Sequence, residues 1–200
     1  MSLKERNKIF HLSIEGFDGV GKTTICEYIA NKHNLCFITK PFHLLIEDEN
    51  KIAVYQKIAK KINQLDDTDL TSWFYCFSYS YAYSLKKDIV TDRFLGSNYA
   101  WGGNDNNLSI YQESINKFGK PDITIVLYAN KQELTKRIQS RDINDSNLGL
   151  LDNSGNYYEK MIYFLKTFNF NYCIVNTNNK SIEQIYDEIK SLIEENKLKK

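Results

Sequence analysis

The stretch Ile9 to Ile25, IFHLSIEGFDGVGKTTI, constrains this chain more than any other part of it. An apolar run (Ile9, Phe10, Leu12, Ile14) reads as a strand, and it passes through the glycine-rich turn Gly16-Phe17-Asp18-Gly19-Val20-Gly21-Lys22-Thr23 into a helical pattern. This is G-x-x-x-x-G-K-S/T in the setting that its chemistry needs, between a strand and a helix. Glycines let successive backbone N–H groups curl around a polyphosphate, and the first-turn amides of the following helix add partial positive charge. Lys22 is placed to neutralise outer phosphates, and the Thr23 hydroxyl to hold Mg²⁺. The loop and its exit, Gly16 to Thr24, therefore predict a site for a nucleoside triphosphate.

Size and charge narrow what surrounds that loop. Two hundred residues suit one α/β domain with one sizeable core, and no composition shift marks a second. Charged residues make up 26% and nearly cancel to +1, which argues against a dedicated nucleic-acid binder and for a small ligand. The opening MSLKERNKIF has no apolar core of signal-peptide length, and no later run approaches a membrane span, so a cytoplasmic protein away from the membrane is expected. Cys26, Cys36, Cys76 and Cys173 lie far apart with no C-x-x-C pair, which suggests neither a zinc site nor a disulfide framework. Lysine is abundant but arginine occurs only at positions 6, 93, 137 and 141. Each arginine is informative, because a rigid donor fork holds phosphate oxygens as lysine cannot.

Apolar patterning lays out alternating strands and helices. After the loop, a helix over 24–33 ends at Asn34, and Leu35 to Ile38 is a short strand. Ile52, Tyr55, Ile58, Ala59 and Ile62 recur at three and four, which predicts an amphipathic helix within 47–65. Asp66 to Asp69 reads as a turn and cap before an aromatic-rich helix from Trp73 to Tyr83, most of whose rings should be core while one could stack on a base. Ile89-Val90-Thr91 forms a third strand ending in Asp92-Arg93. The glycines and asparagines of 96–107 read as a loop, followed by a helix to Phe118. Ile123 to Tyr128 is the clearest buried strand. Helices over 132–141, 157–168 and 181–195 and a strand over 172–175 complete the chain. Near-continuous apolar strands alternating with helices imply a parallel sheet covered on both faces, with ligands at the carboxyl ends of its strands. Asp92 at such an end is a candidate metal contact, and Arg93 could reach a phosphate in the loop.

Four blocks, in order, now carry a resemblance. Glu15-Gly16-Phe17-Asp18-Gly19-Val20-Gly21-Lys22-Thr23-Thr24 resembles the E-G-x-D-G-x-G-K-T/S-T signature of thymidylate kinases. Asp92-Arg93-Phe94-x-x-Ser97-x-x-Ala100-Trp101 is similar to that family's D-R-Y/F-x-x-S-x-x-A-Y, Pro121-Asp122-Ile123-Thr124 to its P-D-x-T, and Arg137-Ile138-x-x-Arg141 to its R-I-x-x-R before the lid. The resemblance implies a single P-loop kinase domain over 1–200: α/β, a five-stranded parallel sheet with helices on both faces, and a short lid at about 137–154. It implies an ATP-dependent phosphotransferase of nucleotide biosynthesis acting on a nucleoside monophosphate, dTMP first, with Mg²⁺. On that carry-over Lys22, Asp18, Arg93, Arg137 and Arg141 are catalytic, Thr23 and Asp92 hold the metal, and Lys40, Phe74, Phe77, Arg93, Ser97 and Trp101 meet the acceptor. A homodimer is compatible with it. Arg137 and Arg141, four apart on one helix face, can point together across donor phosphates.

The chain also departs from that pattern. Where the family has R-E-P-G after the second strand, this chain has Thr39-Lys40-Pro41-Phe42, leaving Lys40 as the phosphate cation there. The family's arginine four residues after a base-stacking phenylalanine is missing, since no arginine lies between Arg6 and Arg93. The lid stretch DINDSNLGLLDN adds no further arginine. These departures leave room for a kinase of another monophosphate, and for a deoxynucleoside kinase, which would need a general base where Lys40 stands. A GTP-hydrolysing switch is a third reading, from Asn130-Lys131-Gln132-Glu133 and Asp152-Asn153-Ser154-Gly155, although the two stand in the reverse of the usual order.

Overall fold

The structure, a computed structural model, describes residues 9–200, so Arg6 lies outside the described residues. Five parallel strands form one sheet in the order β2-β3-β1-β4-β5. They are β1 (His11–Gly16), β2 (Cys36–Thr39), β3 (Ile89–Asp92), β4 (Ile123–Tyr128) and β5 (Tyr172–Asn176). Central β1 is buried at all six positions, as a parallel strand covered on both faces must be. Register aligns the site: Ile14 lies opposite Asp92, Asp92 opposite Thr39, and Gly16 opposite Leu127, so the carboxyl ends of four strands open at one level.

Eight α-helices flank the sheet among the described residues: α1 (Lys22–His33), α2 (Lys51–Asn63), α3 (Thr68–Ala82), α4 (Leu95–Gly102), α5 (Leu108–Phe118), α6 (Lys131–Arg141), α7 (Ser154–Thr167) and α8 (Ile182–Leu198). Local chemistry sets their ends. Asn34 closes α1 in the left-handed conformation, the Asp67 carboxylate accepts from the Leu70 N–H at the start of α3, and Ser181 with Gln184 forms a capping box on α8. Ile185, Ile189 and Ile193 bury one stripe of α8, as the spacing predicted. None of these helices is long and apolar enough to cross a membrane.

One stretch read as loop is instead structured. Residues 95–102 form α4, whose positions from Leu95 to Ala100 are all buried. Glycine and asparagine content argued against a helix there, but tertiary burial between α3 and α7 overrides weak propensity. Gly103 then ends it. The stretch 142–153 carries a 3₁₀ helix, Ser146–Asn153, rather than being wholly irregular.

Candidate active site

The loop between β1 and α1 takes its shape from backbone demands at its glycines. Gly16 sits at φ 141°, where a Cβ would stand 2.5 Å from the Leu127 carbonyl oxygen, and Gly19 at φ 83°, where one would stand 2.6 Å from Ile138. Only glycine fits both positions without strain. Phe17 and Val20 turn their side chains into the core, leaving Asp18, Gly19, Gly21, Lys22, Thr23 and Thr24 on the wall of a cleft of about 950 Å³. Of the predicted loop residues, Gly16, Phe17 and Val20 thus act through backbone and packing rather than as cleft wall.

Lys22 is buried and donates from Nζ to the Phe17 carbonyl at 2.7 Å. Burial, followed by the Arg93 charge, brings its ammonium down to about 8. Asp18 stands 4.0 Å from Lys22 Nζ, and a phosphate arriving in the loop would add counter-charge to that pair. Thr23 Oγ1 donates to Asp92 Oδ2 at 2.6 Å, so its lone pairs stay available. Asp92 Oδ1 is buried without a hydrogen-bond partner among the described residues. An orphaned carboxylate oxygen beside a hydroxyl, at the mouth of a phosphate loop, is a donor set that fits a hard cation such as Mg²⁺.

Arg93 sits where the two sides of the cleft meet. Its backbone is left-handed at φ 76°, which turns the side chain out of the sheet and back toward the loop. Nη2 pairs with Asp18, and Nη1 donates to the Tyr157 hydroxyl at 3.2 Å. Arg93 and Lys22 outweigh the burial of Asp18 and hold its carboxyl below the usual aspartate value. Glu15, fully buried, fixes this arrangement from beneath. Its two oxygens accept from the backbone N–H groups of Phe94, Gly96 and Ser97, each at 3.1 Å, and from the Ser97 hydroxyl. Burial pushes the Glu15 carboxyl up despite those donors. The Tyr157 hydroxyl in turn donates to Ser97 Oγ at 2.9 Å and lies 3.1 Å from the Gly16 carbonyl oxygen.

The other predicted residues divide. Lys40, in left-handed conformation just past β2, borders the cleft. Trp101 also borders it, half exposed, with its ring 4.9 Å from Tyr157 and 5.5 Å from Phe17. Ser97 borders it as well, but its hydroxyl is committed to Glu15 and Tyr157. Arg141 reaches the cleft wall, more than half exposed and paired with Asp145.

Arg137 borders the cleft too, yet its fork is occupied. Nε binds Glu133 at 2.8 Å, Nη1 lies 3.1 Å from both the Val20 carbonyl oxygen and Thr177 Oγ1, and Nη2 lies 2.6 Å from the Thr177 carbonyl oxygen. The expectation that Arg137 points across donor phosphates beside Arg141 is therefore corrected for this conformation: it ties the phosphate loop to the segment after β5. Phe74 and Phe77 are also corrected. Phe74 packs on Phe42 at 5.0 Å, Phe77 is exposed, and neither is on the cleft wall. Tyr75, Ser78 and Tyr79 form that wall from α3, joined by Tyr55 of α2 and Asn98 of α4. Sequence reasoning missed Tyr55, Tyr79, Asn98 and Tyr157 as site residues, since tyrosine and asparagine carry no spacing signal of their own. Glu15 stood inside the quoted signature and could have been found as a carboxylate in an otherwise apolar strand.

The residues that suggested a GTP switch have structural work. The Asn130 side chain caps α6 by accepting from the Glu133 N–H at 2.8 Å, and Lys131 pairs with Asp152.

Comparison with known proteins places this geometry. The thymidylate kinase family profile matches residues 14–189. A probable thymidylate kinase of Sulfolobus acidocaldarius is 30% identical over 203 aligned positions, covering 92% of this chain and 96% of its own. A probable thymidylate kinase of Methanocaldococcus jannaschii is 27% identical, covering 88% of this chain and 90% of its own. Among solved structures, the thymidylate kinase of Candida albicans superposes with a TM-score of 0.64 at 19% identity, covering 94% of this chain and 92% of its own. Deoxyadenosine kinase from M. mycoides with bound dATP superposes with a TM-score of 0.61 at 16% identity, covering 92% of this chain and all of its own. With a family match across most of its length and the phosphate loop, Asp92-Arg93 and Arg137/Arg141 converging on one cleft, the chain belongs to the thymidylate kinase family.

Proposed function

We propose that this protein transfers the terminal phosphoryl group of ATP to dTMP, giving dTDP and ADP. The observation that carries the reading is Arg93: a partly buried guanidinium on the cleft wall, held against the phosphate loop by Asp18 and braced by Tyr157. In the reaction an oxygen of the acceptor phosphate bonds to the γ-phosphorus as the bond from that phosphorus to the bridging oxygen of the leaving ADP breaks. Charge spreads over the transferring oxygens, and catalysis is mostly positioning and electrostatics. Lys22 meets that charge from the loop, Arg93 from between donor and acceptor, and Arg141 from the lid. Arg137 acts one step back, by fixing the backbone of Val20 and Thr177 around the donor. Thr23 and Asp92 would hold Mg²⁺, which when bound supplies positive charge to the phosphate oxygens.

Deoxynucleoside kinases share the fold, and a hydroxyl acceptor would need a carboxylate base past β2. Lys40 holds that place, and a cation suits a phosphorylated acceptor instead. ADP release measured with dTMP, other monophosphates and thymidine as acceptors tests the reading. Turnover is expected with dTMP; turnover with thymidine and none with dTMP would overturn it.

A further inference from the structure

The acceptor side of the cleft is short of positive charge. On the reading above Lys22 and Arg141 serve the donor and Arg137 is occupied by Glu133, Val20 and Thr177, so Lys40 and Arg93 are the cations left on the cleft wall for an acceptor dianion. Polar groups along α3 on the same wall are largely occupied. Ser78 donates back to the Phe74 carbonyl at 2.8 Å, Tyr75 to Asn63 at 3.3 Å, and Thr71 to the Asp67 carbonyl at 2.9 Å.

Two groups stand out against that background. Tyr55 of α2 and Tyr79 of α3 both border the cleft, and only 7% and 8% of their surfaces are exposed. Neither hydroxyl has a hydrogen-bond partner among the described residues, and neither is sealed from the cleft, so each opens into it. Their rings are fixed by packing, Tyr55 stacked 6.4 Å from Phe74 and Tyr79 5.2 Å from Phe94, the residue after Arg93. Both tyrosines share the cleft wall with Arg93, and the Phe94 ring against Tyr79 belongs to the next residue in the chain. Hydroxyl donors on rings held by packing, open to a cleft and without a protein partner, are placed to meet a ligand there.

Resting on the reading above, we infer that Tyr55 and Tyr79 are acceptor-binding residues whose hydroxyls donate to the phosphate of the incoming monophosphate beside Arg93, taking the place of a further guanidinium. Burial pushes both phenols up, which keeps them protonated donors at neutral pH. The acceptor phosphate is thus met by two neutral O–H groups together with Arg93 and Lys40.

Calorimetric titration of dTMP and of thymidine into wild type, Tyr55→Phe, Tyr79→Phe and the double variant tests this. The phenylalanines keep the ring packing, and thermal melts confirm that the variants are folded. Each single change should weaken dTMP by about tenfold, the size expected of a hydrogen bond to a charged group, while moving thymidine affinity and the ATP KM by less than about twofold. Unchanged dTMP affinity in the double variant overturns the inference, as does an equal loss for thymidine, which would place the hydroxyls on sugar or base. A wild-type enzyme that turns over dTMP while the variants bind it unchanged refutes this inference alone. A wild-type enzyme that neither binds nor phosphorylates dTMP refutes the reading beneath it, and this inference with it.

Discussion

The two ends of the cleft are built differently. At the donor end the lysine, the hydroxyl and one arginine are already tied to protein: Lys22 holds the Phe17 carbonyl, Thr23 holds Asp92, and Arg137 holds Glu133, Val20 and Thr177, with Asp92 Oδ1 on the metal side left without a partner among the described residues. At the acceptor end the Tyr55 and Tyr79 hydroxyls have none among the described residues. The donor end is organised by one contiguous loop that must keep its shape to present amides to phosphate. The acceptor end is assembled from α2, α3 and α4, and its polar groups are completed by a ligand. One half is preorganised by internal bonds, the other by packing of aromatic rings.

Arg93 belongs to both halves, so its loss should break the comparison most severely. Arg93→Ala is expected to lower turnover by at least ~10²-fold, as removal of one preorganised charge-stabilising donor does, in a variant that still folds. Wild-type turnover would remove Arg93 from the mechanism. Arg137→Lys probes the donor half alone. It keeps the charge but loses the fork, and the KM for ATP should rise about tenfold with little change in dTMP affinity. If lysine restores wild-type kinetics, Arg137 acts as a point charge and its ties to Val20 and Thr177 are incidental. Tyr157→Phe removes the hydroxyl that braces Arg93 and leaves its ring against Trp101 and Phe17. A fall in kcat of roughly three- to tenfold with unchanged KM values is expected, since a positioning contact is lost and no binding contact is. That effect should vanish in an Arg93→Ala background, which a purely structural role for Tyr157 would not produce.

The smallest expected effect is on pH dependence. Arg93 and Lys22 hold the Asp18 carboxyl below its ordinary value of 3.8, so its ionised form contributes stability above that pH. This contribution is lost as pH falls through the lowered folded-state value. Asp18→Asn should be less stable than wild type at neutral pH, and the gap should close in acid-unfolding curves taken below about pH 3.8. A gap that stays constant down the acid limb would show that the ion pair contributes nothing.

The same division governs how much the sequence disclosed. The donor loop was legible because its chemistry demands glycines at fixed spacing, followed by lysine and threonine, all within eight residues. The five-stranded sheet was legible from apolar runs, and the α8 stripe from its period. At the acceptor end the determinants are distances between elements. Whether α3 turns Phe74 or Tyr79 toward the cleft depends on a rotation of the helix that an aromatic-rich stretch leaves open, because apolar rings cover more than one side of it. The α4 helix was hidden for the opposite reason: LGSNYAWG has poor intrinsic preference and forms only because its neighbours bury it. Arg137 showed its spacing but not its partners, since the Val20 carbonyl and Thr177 come from segments distant in the chain.

The left-handed backbone of Arg93 has a further consequence. A side chain with a Cβ at φ 76° costs roughly 1 kcal/mol or more relative to glycine, which takes that conformation freely. Arg93→Gly would release that strain and in the same stroke give up the guanidinium's hold on Asp18 and Tyr157, so the chain tolerates an awkward backbone here in exchange for a cation that no glycine can supply.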